Sequence, residues 1–542
     1  MAQFVNAKDD MVKEAIDGLL ACSGGALARL DGYPHIKVVH RTDWDRSKVA
    51  LISGGGSGHE PAHAGFVGPG MLTAAVCGEV FASPSVEAVL AGILAVTGDA
   101  GCLLIVKNYT GDRLNFGLAA ERARSLGHQV EMVVVDDDVA LPDLPQPRGV
   151  AGTLFVHKIT GAMAEAGASL ADITAAAKRI IANVASIGKS LDTCTIPGSP
   201  KEDRIPTGKA ELGLGIHGEP GVEQVDFAGA ADAMQIILDK LVPHMKDGPC
   251  VALMNNLGST TPLEMSVLCH ALSEAGVATH MIGPAPMMTS LDMHGFSVSV
   301  LPASAEDLAA LAAPVPMPAW PGLAEIGPVA VAPIPDGLLP TAPIPSASPK
   351  TRAVIEAVAD LLIGAEATLN TLDAKSGDGD TGSTLATAAR ALKGNLDKMP
   401  LADLTQFFPA LGNELSQTMG GSSGVILAIY FNAAGDACAR GASVQKALKE
   451  GLKRVSEVGG AQIGDRTMVD ALAPALDAMS GGLAAAAAAA RTGADSTASI
   501  HKAKAGRAAY VPSENLIGNN DPGAEAVALL FEGLIKALES AN

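Results

Sequence analysis

The stretch Ala313-Pro314-Val315-Pro316-Met317-Pro318 is followed by two similar runs, Ala332-Pro333-Ile334-Pro335 and Ala342-Pro343-Ile344-Pro345. Residues 313–350 hold 11 of the 33 prolines, and proline at alternate positions favours an extended, semi-rigid chain over a helix. We therefore predict a proline-rich linker over residues 316–350, which separates residues 1–315 from residues 351–542. A proline-rich ligand for another protein module is the alternative interpretation.

The part before the linker alternates short apolar runs with helical patterns, which predicts an α/β fold. Its clearest strands cover residues 49–52, 103–106, 132–135 and 251–254. Each run ends at polar or glycine-rich residues, and ligands of open α/β sheets bind beyond the carboxyl ends of strands. A helical stretch over residues 170–187 predicts a division into two subdomains near residue 185.

The part after the linker has little strand character and is predicted to be all-helical. Amphipathic patterns cover residues 351–371, 443–458 and 524–540, and the alanine run 484–490 has high helix propensity. The predicted fold class is therefore multidomain, with an α/β N-terminal part joined by the linker to an all-α part.

Composition excludes several functions. A formal charge of −20 disfavours nucleic acid as a partner, because binding to a phosphate backbone needs a basic face. The seven cysteines form no Cys-x-x-Cys pair, which favours a reducing cytoplasm over a disulfide framework or a structural zinc site. Charged residues throughout the first 20 positions argue against a signal peptide, and no apolar run predicts a membrane span.

Two strand-end loops in the α/β part could carry chemistry. Residues 53–61, Ser-Gly-Gly-Gly-Ser-Gly-His-Glu-Pro, form a glycine-rich turn in which backbone amides could approach a ligand, and His59 could act as an acid or base. The turn lacks the spacing of a Walker or dinucleotide motif, and a helix-capping histidine is the alternative. Lys107 and Asp112 place a cation and a carboxylate on a second loop, for which a solvated turn is the alternative.

His217 lies in Gly-Leu-Gly-Ile-His-Gly-Glu-Pro-Gly, residues 213–221. The flanking glycines are expected to expose its imidazole on a loop, where it can act as a nucleophile. A solvated loop histidine is the alternative interpretation.

Asp373, Asp378 and Asp380 concentrate three carboxylates around two glycines in the helical part. Hard oxygen ligands at this spacing suit Mg²⁺ held against nucleotide phosphates. An EF-hand is a poor competitor because its later ligand positions are missing, and an acidic capping turn is the remaining alternative. Residues 419–424, Met-Gly-Gly-Ser-Ser-Gly, could form a phosphate cradle at the start of a helix or an ordinary loop.

Together these motifs resemble the single-chain, ATP-dependent dihydroxyacetone kinase (glycerone kinase) family. The resemblance extends over nearly the whole chain and includes Gly-Asp-Gly-Asp-Thr-Gly at 377–382 and Gly-Asp-Arg-Thr-Met at 464–468. It implies a substrate-binding K-type domain before the linker and an ATP-binding L-type domain after it. The implied activity is Mg²⁺-dependent phosphorylation of dihydroxyacetone by ATP, with D-glyceraldehyde as a further candidate substrate.

The resemblance also implies roles for individual residues. His217 would bind the ketone as a covalent hemiaminal, Asp112 would be the base for the attacking hydroxyl, and His59 would assist. The implied substrate-binding residues are Gly56, Ser57, Gly58, His59, Lys107 and Asp112. The implied metal ligands are Asp373, Asp378 and Asp380. The implied nucleotide-binding residues are Asp378, Gly379, Asp380, Thr381, Ser422, Ser423, Gly459, Thr467, Met468, Asp521, Pro522 and Gly523.

The family further implies a homodimer in which domains are exchanged between chains, and the cysteine pattern predicts a cytoplasmic location. An FAD-AMP lyase that forms cyclic FMN, an activity within the same family, is one alternative. A non-catalytic ligand-binding regulator is another, although the histidine loop and the aspartate loop on one chain argue against it.

Overall fold

The computed structural model describes residues 3–140, 146–246, 248–335 and 342–540. The chain divides into two compact units, Met1–Val331 and Ala332–Asn542. The first unit combines sheets with helices, and the secondary structure described in the second is helical. The predicted fold class, an α/β part followed by a helical part, is confirmed.

The first sheet has six strands within the described ranges, and these strands come first along the chain of the first unit. Its strands are β1 (Leu27–Arg29), β2 (Val38–Arg41), β3 (Ala50–Ser57), β4 (Ala74–Val80), β5 (Cys102–Lys107) and β6 (Val130–Val135). The accompanying helices are α1 (Met11–Cys22), α2 (Val86–Val96), α3 (Thr110–Ser125), α4 (Thr153–Glu165) and α5 (Leu170–Ile181). The strand order is β1-β2-β4-β3-β5-β6, and β4, β3, β5 and β6 run parallel. The carboxyl ends of β3 and β5 therefore open on the same edge.

A second sheet of seven described strands follows. Its strands are β7 (Ala185–Ser190), β8 (Lys209–Leu212), β9 (Glu223–Asp226), β10 (Cys250–Asn256), β11 (His280–Ala285), β12 (Gly295–Pro302) and β13 (Leu323–Glu325). Its helices are α6 (Ala230–Leu241), α7 (Pro262–Ala275) and α8 (Ala305–Ala312). The order is β13-β11-β10-β12-β7-β8-β9, with β10 and β11 parallel and the other pairs antiparallel. The helix predicted over 170–187 ends at Ile181, because the chain then enters β7.

Strand β3 extends through the glycines that were expected to form a turn after it. All its residues are buried, and it pairs with β4 as far as Ser57. A Cβ at Gly54 would lie 2.1 Å from the Val76 carbonyl oxygen, and one at Gly56 would lie 2.7 Å from the Ala82 amide nitrogen. The glycines are needed because neighbouring backbone lies too close for a side chain, so they belong to the strand itself.

The helix α4 lies in the centre of the first unit, where every residue from Thr153 to Gly161 is buried. One hydrophobic core joins this helix to both sheets, including Leu103 of β5 and Leu253 of β10. The two sheets thus share a core, and the subdomain boundary near residue 185 stays a prediction.

Gly161 of α4 allows close packing against backbone. A Cβ there would lie 2.5 Å from both the Gly70 carbonyl oxygen and the Met71 Cα. We expect Gly161→Ala to destabilise the first unit by about 1–3 kcal/mol, the usual cost of overpacking. Gly117→Ala is the matched control, because this helical glycine of α3 has open space at its Cβ position.

Both tryptophans of the chain lie in the first unit, so urea denaturation followed by tryptophan fluorescence reports on that unit. The control is expected to unfold at the same or a higher urea concentration, since alanine favours helix by up to about 1 kcal/mol over glycine. Equal midpoints for Gly161→Ala and the wild type would contradict the close packing.

The predicted linker begins too early in the chain. Met317 and Trp320 are buried in the core of the first unit, and Leu323–Glu325 forms β13 beside β11. An extended, proline-rich chain satisfies the geometry of an edge strand as well as that of a free tether. The first residues of the predicted 316–350 segment are therefore part of the α/β unit, and residues 336–341 lie outside the described ranges.

The second unit contains α-helices and no strand among its described residues. The helices are α9 (Pro349–Gly364), α10 (Glu366–Asp373), α11 (Thr381–Asn395), α12 (Leu404–Thr418), α13 (Gly421–Ala439), α14 (Val444–Gly459), α15 (Val469–Ala478), α16 (Leu483–Ser496), α17 (Ser513–Leu516) and α18 (Pro522–Ser540). The single helix expected over 351–371 is broken at Ala365 into α9 and α10. Within the described ranges of the chain, no helix is long and apolar enough to cross a membrane.

Candidate functional site

The histidine site, formed by His59, Lys107, Asp112 and His217, lies in the first unit. Lys107 is the last residue of β5 and is fully buried. Asp112 is buried in the first turn of α3, immediately after that strand. His59 follows the parallel neighbour β3, so the sheet topology brings these three side chains to one edge as the sequence predicted.

Lys107 and Asp112 converge over the backbone of Gly55. A Cβ at Gly55 would lie 3.1 Å from Lys107 Nζ and 3.4 Å from Asp112 Oδ2. The other oxygen of Asp112 accepts a hydrogen bond from the Ser83 hydroxyl. Burial lowers the pKa of Lys107, and the negative charge of Asp112 opposes this effect.

His217 is enclosed by rings, whereas the sequence predicted an exposed imidazole. Its side chain is 17% exposed. The Tyr109 ring lies edge-on to it at 4.4 Å between centroids, and the rings of His59 and Phe81 lie at 4.9 and 5.3 Å. The glycines around His217 allow the loop to pack against these rings, so the imidazole faces a partly apolar site.

Glu219 fixes the orientation of the His217 ring. Its carboxylate accepts hydrogen bonds from the His217 backbone amide at 2.8 Å and from Nδ1 at 3.3 Å. Burial disfavours the ionised carboxylate, but the contact with His217 outweighs this effect and lowers the pKa of Glu219. A proton on Nδ1 leaves the lone pair on Nε2, which is the atom able to attack an electrophile.

His59 is a neutral hydrogen-bond acceptor. It is fully buried, and its Nδ1 donates to the Thr289 carbonyl oxygen at 2.9 Å. Burial, together with the charge of Lys107, lowers its pKa well below the usual value. Nε2 of His59 therefore carries a lone pair, and it has no partner among the described residues. An orphaned acceptor beside His217 suits a ligand hydroxyl.

The predicted ligand-binding residues Gly56, Ser57 and Gly58 lie at the end of β3 and directly after it, next to His59. The Ser57 hydroxyl donates to the Gly78 carbonyl oxygen at 2.9 Å, which directs it toward the scaffold. Gly58 has a φ of +102°, and a Cβ there would lie 2.8 Å from a ring atom of Phe81. These residues can contact a small ligand mainly through their backbone.

Sequence reasoning gave no role to several residues that shape this site. Glu219, Tyr109 and Phe81 lie next to His217 in space, and a glutamate two residues after the histidine was the one local signal. His63 and His157 are also buried and linked to Lys107. His157 lies in α4, 50 residues from Lys107 in sequence, and the sequence pattern gives no indication that it connects to Lys107 through His63.

The aspartate site, formed by Asp373, Asp378 and Asp380, lies in the second unit. One carboxylate oxygen from each residue lies within 4.8 Å of the others. Asp373 is buried at the end of α10, and its Oδ2 accepts hydrogen bonds from the amides of Asp380 and Thr381 at 3.0 and 3.1 Å. This bonding closes the loop before α11 and brings the three carboxylates together.

The electrostatics of this loop favour a bound cation. Partial desolvation and the neighbouring charges of Asp378 and Asp373 raise the pKa of Asp380. Arg507 forms an ion pair with Asp378 and compensates part of the negative charge. A set of oxygen donors whose mutual repulsion is only partly compensated fits the preference of Mg²⁺.

Other predicted nucleotide-binding residues lie at helix starts, where free backbone amides favour anions. Thr381 begins α11, Ser422 and Ser423 lie in the first turn of α13, Met468 precedes α15, and Pro522 begins α18.

Hydrogen bonds connect several of these segments. Lys375 of the aspartate loop donates to Asn519 at 2.8 Å, and Arg466 donates to the Asn519 carbonyl oxygen at 2.9 Å. A Cβ at Gly523 would lie 3.2 Å from Asp521 Oδ1 and 3.4 Å from the Met468 Cβ. Residues 373–381, 466–468 and 519–523 are therefore held together as one cluster.

Three predicted nucleotide-binding residues are not linked to this cluster by hydrogen bonds within the described part of the unit. Ser422 and Ser423 are exposed at the start of α13, and Gly459 ends α14.

Asp521 is buried, donates its amide to Thr497 Oγ1 at 2.8 Å, and has its pKa raised to about 6 by burial. Its carboxylate accepts from the Ala524 amide at 2.9 Å and caps α18.

The fold and the two sites define a two-unit protein with a histidine site in an α/β unit and a carboxylate cluster in a helical unit. The Dak1 domain matches residues 17–319, and the DAK2 domain matches residues 375–536. This chain belongs to the dihydroxyacetone kinase family, which confirms the resemblance seen in the sequence.

Relatives match over the full length. The chain is 46% identical to a dihydroxyacetone kinase of Citrobacter freundii over 98% of this chain and 99% of that protein. It is 38% identical to a human triokinase/FMN cyclase over 99% of both. The crystal structure of the C. freundii kinase in complex with AMP-PNP and Mg²⁺ covers 100% of each chain at 44% identity, with a TM-score of 0.69.

Proposed function

We propose that this protein is an ATP-dependent kinase that transfers the γ-phosphate of ATP to dihydroxyacetone and yields dihydroxyacetone phosphate. The observation that carries the proposal is the presence, on one chain, of an imidazole with a free nucleophilic nitrogen and a three-carboxylate cation site. The full-length identity to dihydroxyacetone kinase supports it. D-Glyceraldehyde is a second candidate substrate, because it too offers a carbonyl carbon.

His217 captures the ketone. Its Nε2 forms a bond to the carbonyl carbon, the π electrons of the C=O bond move to oxygen, and that oxygen takes up a proton from solvent. The ring becomes positively charged, and the Glu219 carboxylate at Nδ1 stabilises that charge. The covalent hemiaminal orients a three-carbon molecule better than weak contacts could, and glycerol is rejected because it has no electrophilic carbon.

The buried polar groups around His217 then prepare a hydroxyl of the bound ketose. Nε2 of His59 accepts a hydrogen bond from one hydroxyl, since no described residue occupies it. Oδ2 of Asp112 accepts the proton of the hydroxyl that attacks phosphorus. The ammonium of Lys107, which lies beside Asp112, donates a hydrogen bond to an oxygen of the substrate. Exclusion of water by the surrounding rings limits hydrolysis.

In the second unit, Asp373, Asp378 and Asp380 would hold Mg²⁺, which when bound neutralises charge on the ATP phosphates. The helix starts at Thr381, Ser422, Met468 and Pro522 would present amides to the nucleotide. Gly379, Ser423, Gly459, Thr467, Asp521 and Gly523 complete the proposed nucleotide-binding set. The wild-type protein is expected to consume ATP with dihydroxyacetone and not with glycerol in a coupled ADP assay, and equal rates would contradict the role of His217.

The proposal includes a cytoplasmic homodimer with domains exchanged between chains. All seven cysteines are free, which fits a reducing compartment. Coexpression of His217→Ala with Asp380→Ala tests the exchange, because a mixed dimer then pairs one intact histidine site with one intact aspartate site. Random mixing is expected to restore about a quarter of wild-type activity, and no recovery in purified mixed dimers would contradict domain exchange.

A second candidate activity is the FAD-AMP lyase reaction that forms cyclic FMN. The human triokinase/FMN cyclase, 38% identical over almost the whole chain, favours it. Incubation of the protein with FAD and Mn²⁺ should release cyclic FMN and AMP if this activity is present. Unchanged FAD would leave the kinase as the one activity supported.

A further inference from the structure

Three buried side chains form a line that starts at Lys107 of the histidine site. Lys107 Nζ lies 2.8 Å from His63 Nε2, and His63 Nδ1 lies 3.0 Å from His157 Nε2. Lys107 and His157 are fully buried, and His63 is 5% exposed. Neither contact is needed to hold a sheet or a helix together, because both run between side chains.

The chemistry of the three groups gives the line a single direction. An ammonium group can only donate, so His63 Nε2 must accept and His63 Nδ1 must carry the proton. Nδ1 then donates to His157 Nε2, which leaves the proton of His157 on its own Nδ1. Burial and the charge of Lys107 lower the pKa of His63 well below its usual value and that of His157 to about 3. Both rings are therefore neutral near pH 7.

Lys107 needs such a partner because burial would otherwise favour the loss of its proton, and a neutral amine is a weaker donor to the substrate. The charged groups facing it are Asp112 of α3, Asp137 after β6 and Glu60 after β3. Burial lowers its pKa, and Asp112 is the nearest of these carboxylates to the shared space over Gly55. Without another acceptor the ammonium would lose its proton or turn to Asp112 and occupy its carboxylate.

We infer that His63 and His157 are positioning residues that hold Lys107 as a charged donor at the histidine site while leaving Asp112 free to act as a base. His63 supplies a neutral acceptor to Nζ, and His157 accepts the Nδ1 proton of His63 and so holds that ring in place. This inference rests on the proposed kinase function, in which Lys107 and Asp112 act on the same substrate.

Substitutions at His63 separate its acceptor from its bulk. His63→Gln places an amide oxygen close to the position of Nε2, whereas His63→Leu fills similar space without an acceptor. Loss of the acceptor removes stabilisation of the ammonium and lowers the pKa of Lys107. The alkaline limb of the kcat/KM profile for dihydroxyacetone should therefore move to lower pH. We expect the alkaline limb to shift by about one pH unit in His63→Leu and to return to its wild-type position in His63→Gln.

His157→Leu should move the alkaline limb in the same direction by a smaller amount, because the Nδ1 proton of His63 then keeps only the more distant Ser53 hydroxyl oxygen, at 3.4 Å, as an acceptor. This variant also provides the test if His63→Leu does not fold. Nucleotide affinity should stay at the wild-type value in all variants. A wild-type pH profile in folded His63→Leu or His157→Leu, or a defect in His63→Gln equal to that in His63→Leu, would overturn the inference.

A measurement on the resting protein separates this inference from the kinase proposal. In full-length protein labelled with ¹⁵N-histidine, His63 should show the neutral tautomer with the proton on Nδ1 from about pH 6 to pH 9. A protonated His63 ring, or the opposite tautomer, would overturn the inferred role of His63 and His157 even if the enzyme is active. If His63 shows the expected tautomer but the protein does not phosphorylate dihydroxyacetone, the hydrogen-bonded line from Lys107 to His157 is supported and the kinase proposal is refuted.

Discussion

His217→Ala is expected to lower kcat/KM for dihydroxyacetone by at least about 1,000-fold, because the variant loses the covalent bond that orients the substrate. Nucleotide affinity should change less than about twofold, since His217 belongs to the α/β unit and the aspartate site to the helical unit. Coupled ADP release measures the first quantity, and equilibrium titration with a fluorescent ATP analogue measures the second.

His270→Ala is a suitable control for this variant. His270 is an exposed residue of α7, and its replacement in a helix should leave both quantities unchanged. A His217→Ala enzyme that retains a tenth or more of wild-type kcat/KM would show that the imidazole does not capture the ketone.

Asp380→Ala is expected to have the opposite pattern. Loss of one of three carboxylates at a Mg²⁺ site should weaken Mg²⁺-ATP binding and turnover together by about 100-fold or more, since the phosphates depend on the metal. Capture of dihydroxyacetone at His217 should persist. Higher Mg²⁺ concentrations should recover part of the turnover, and Asp380→Asn should resemble Asp380→Ala because the missing feature is the charge.

Asp477→Ala controls for the removal of an acidic residue from the same unit. Asp477 is 73% exposed and pairs with Lys449 on the surface, where such pairs contribute little. Full Mg²⁺-ATP affinity in Asp380→Ala would place the metal elsewhere. Loss of dihydroxyacetone capture in that variant would contradict the assignment of the two sites to separate units.

Local sequence patterns predicted those features that depend on nearby residues. The apolar runs at 103–106 and 251–254 became β5 and β10, and the spacing of Asp373, Asp378 and Asp380 was enough to predict a carboxylate cluster. The convergence of Lys107 with the loop after β3 followed from one rule about parallel strands.

Features that depend on packing between distant segments could not be predicted in this way. Glycines 54–56 looked like a turn, but they continue β3 because the backbone of Val76 and Ala82 comes close. His217 looked exposed because its loop is rich in glycine, whereas its neighbours in space are rings from other segments. His157 reaches Lys107 through His63 only because α4 packs at the centre of the unit.

Intact-protein mass spectrometry with dihydroxyacetone, under rapid and mild conditions, tests the central claim most directly. The wild type and Asp380→Ala should each gain the mass of one dihydroxyacetone molecule per chain, with the addition mapped to His217, and His217→Ala should gain none. An unmodified wild-type protein at saturating dihydroxyacetone, or an addition mapped to a different residue, would contradict the account.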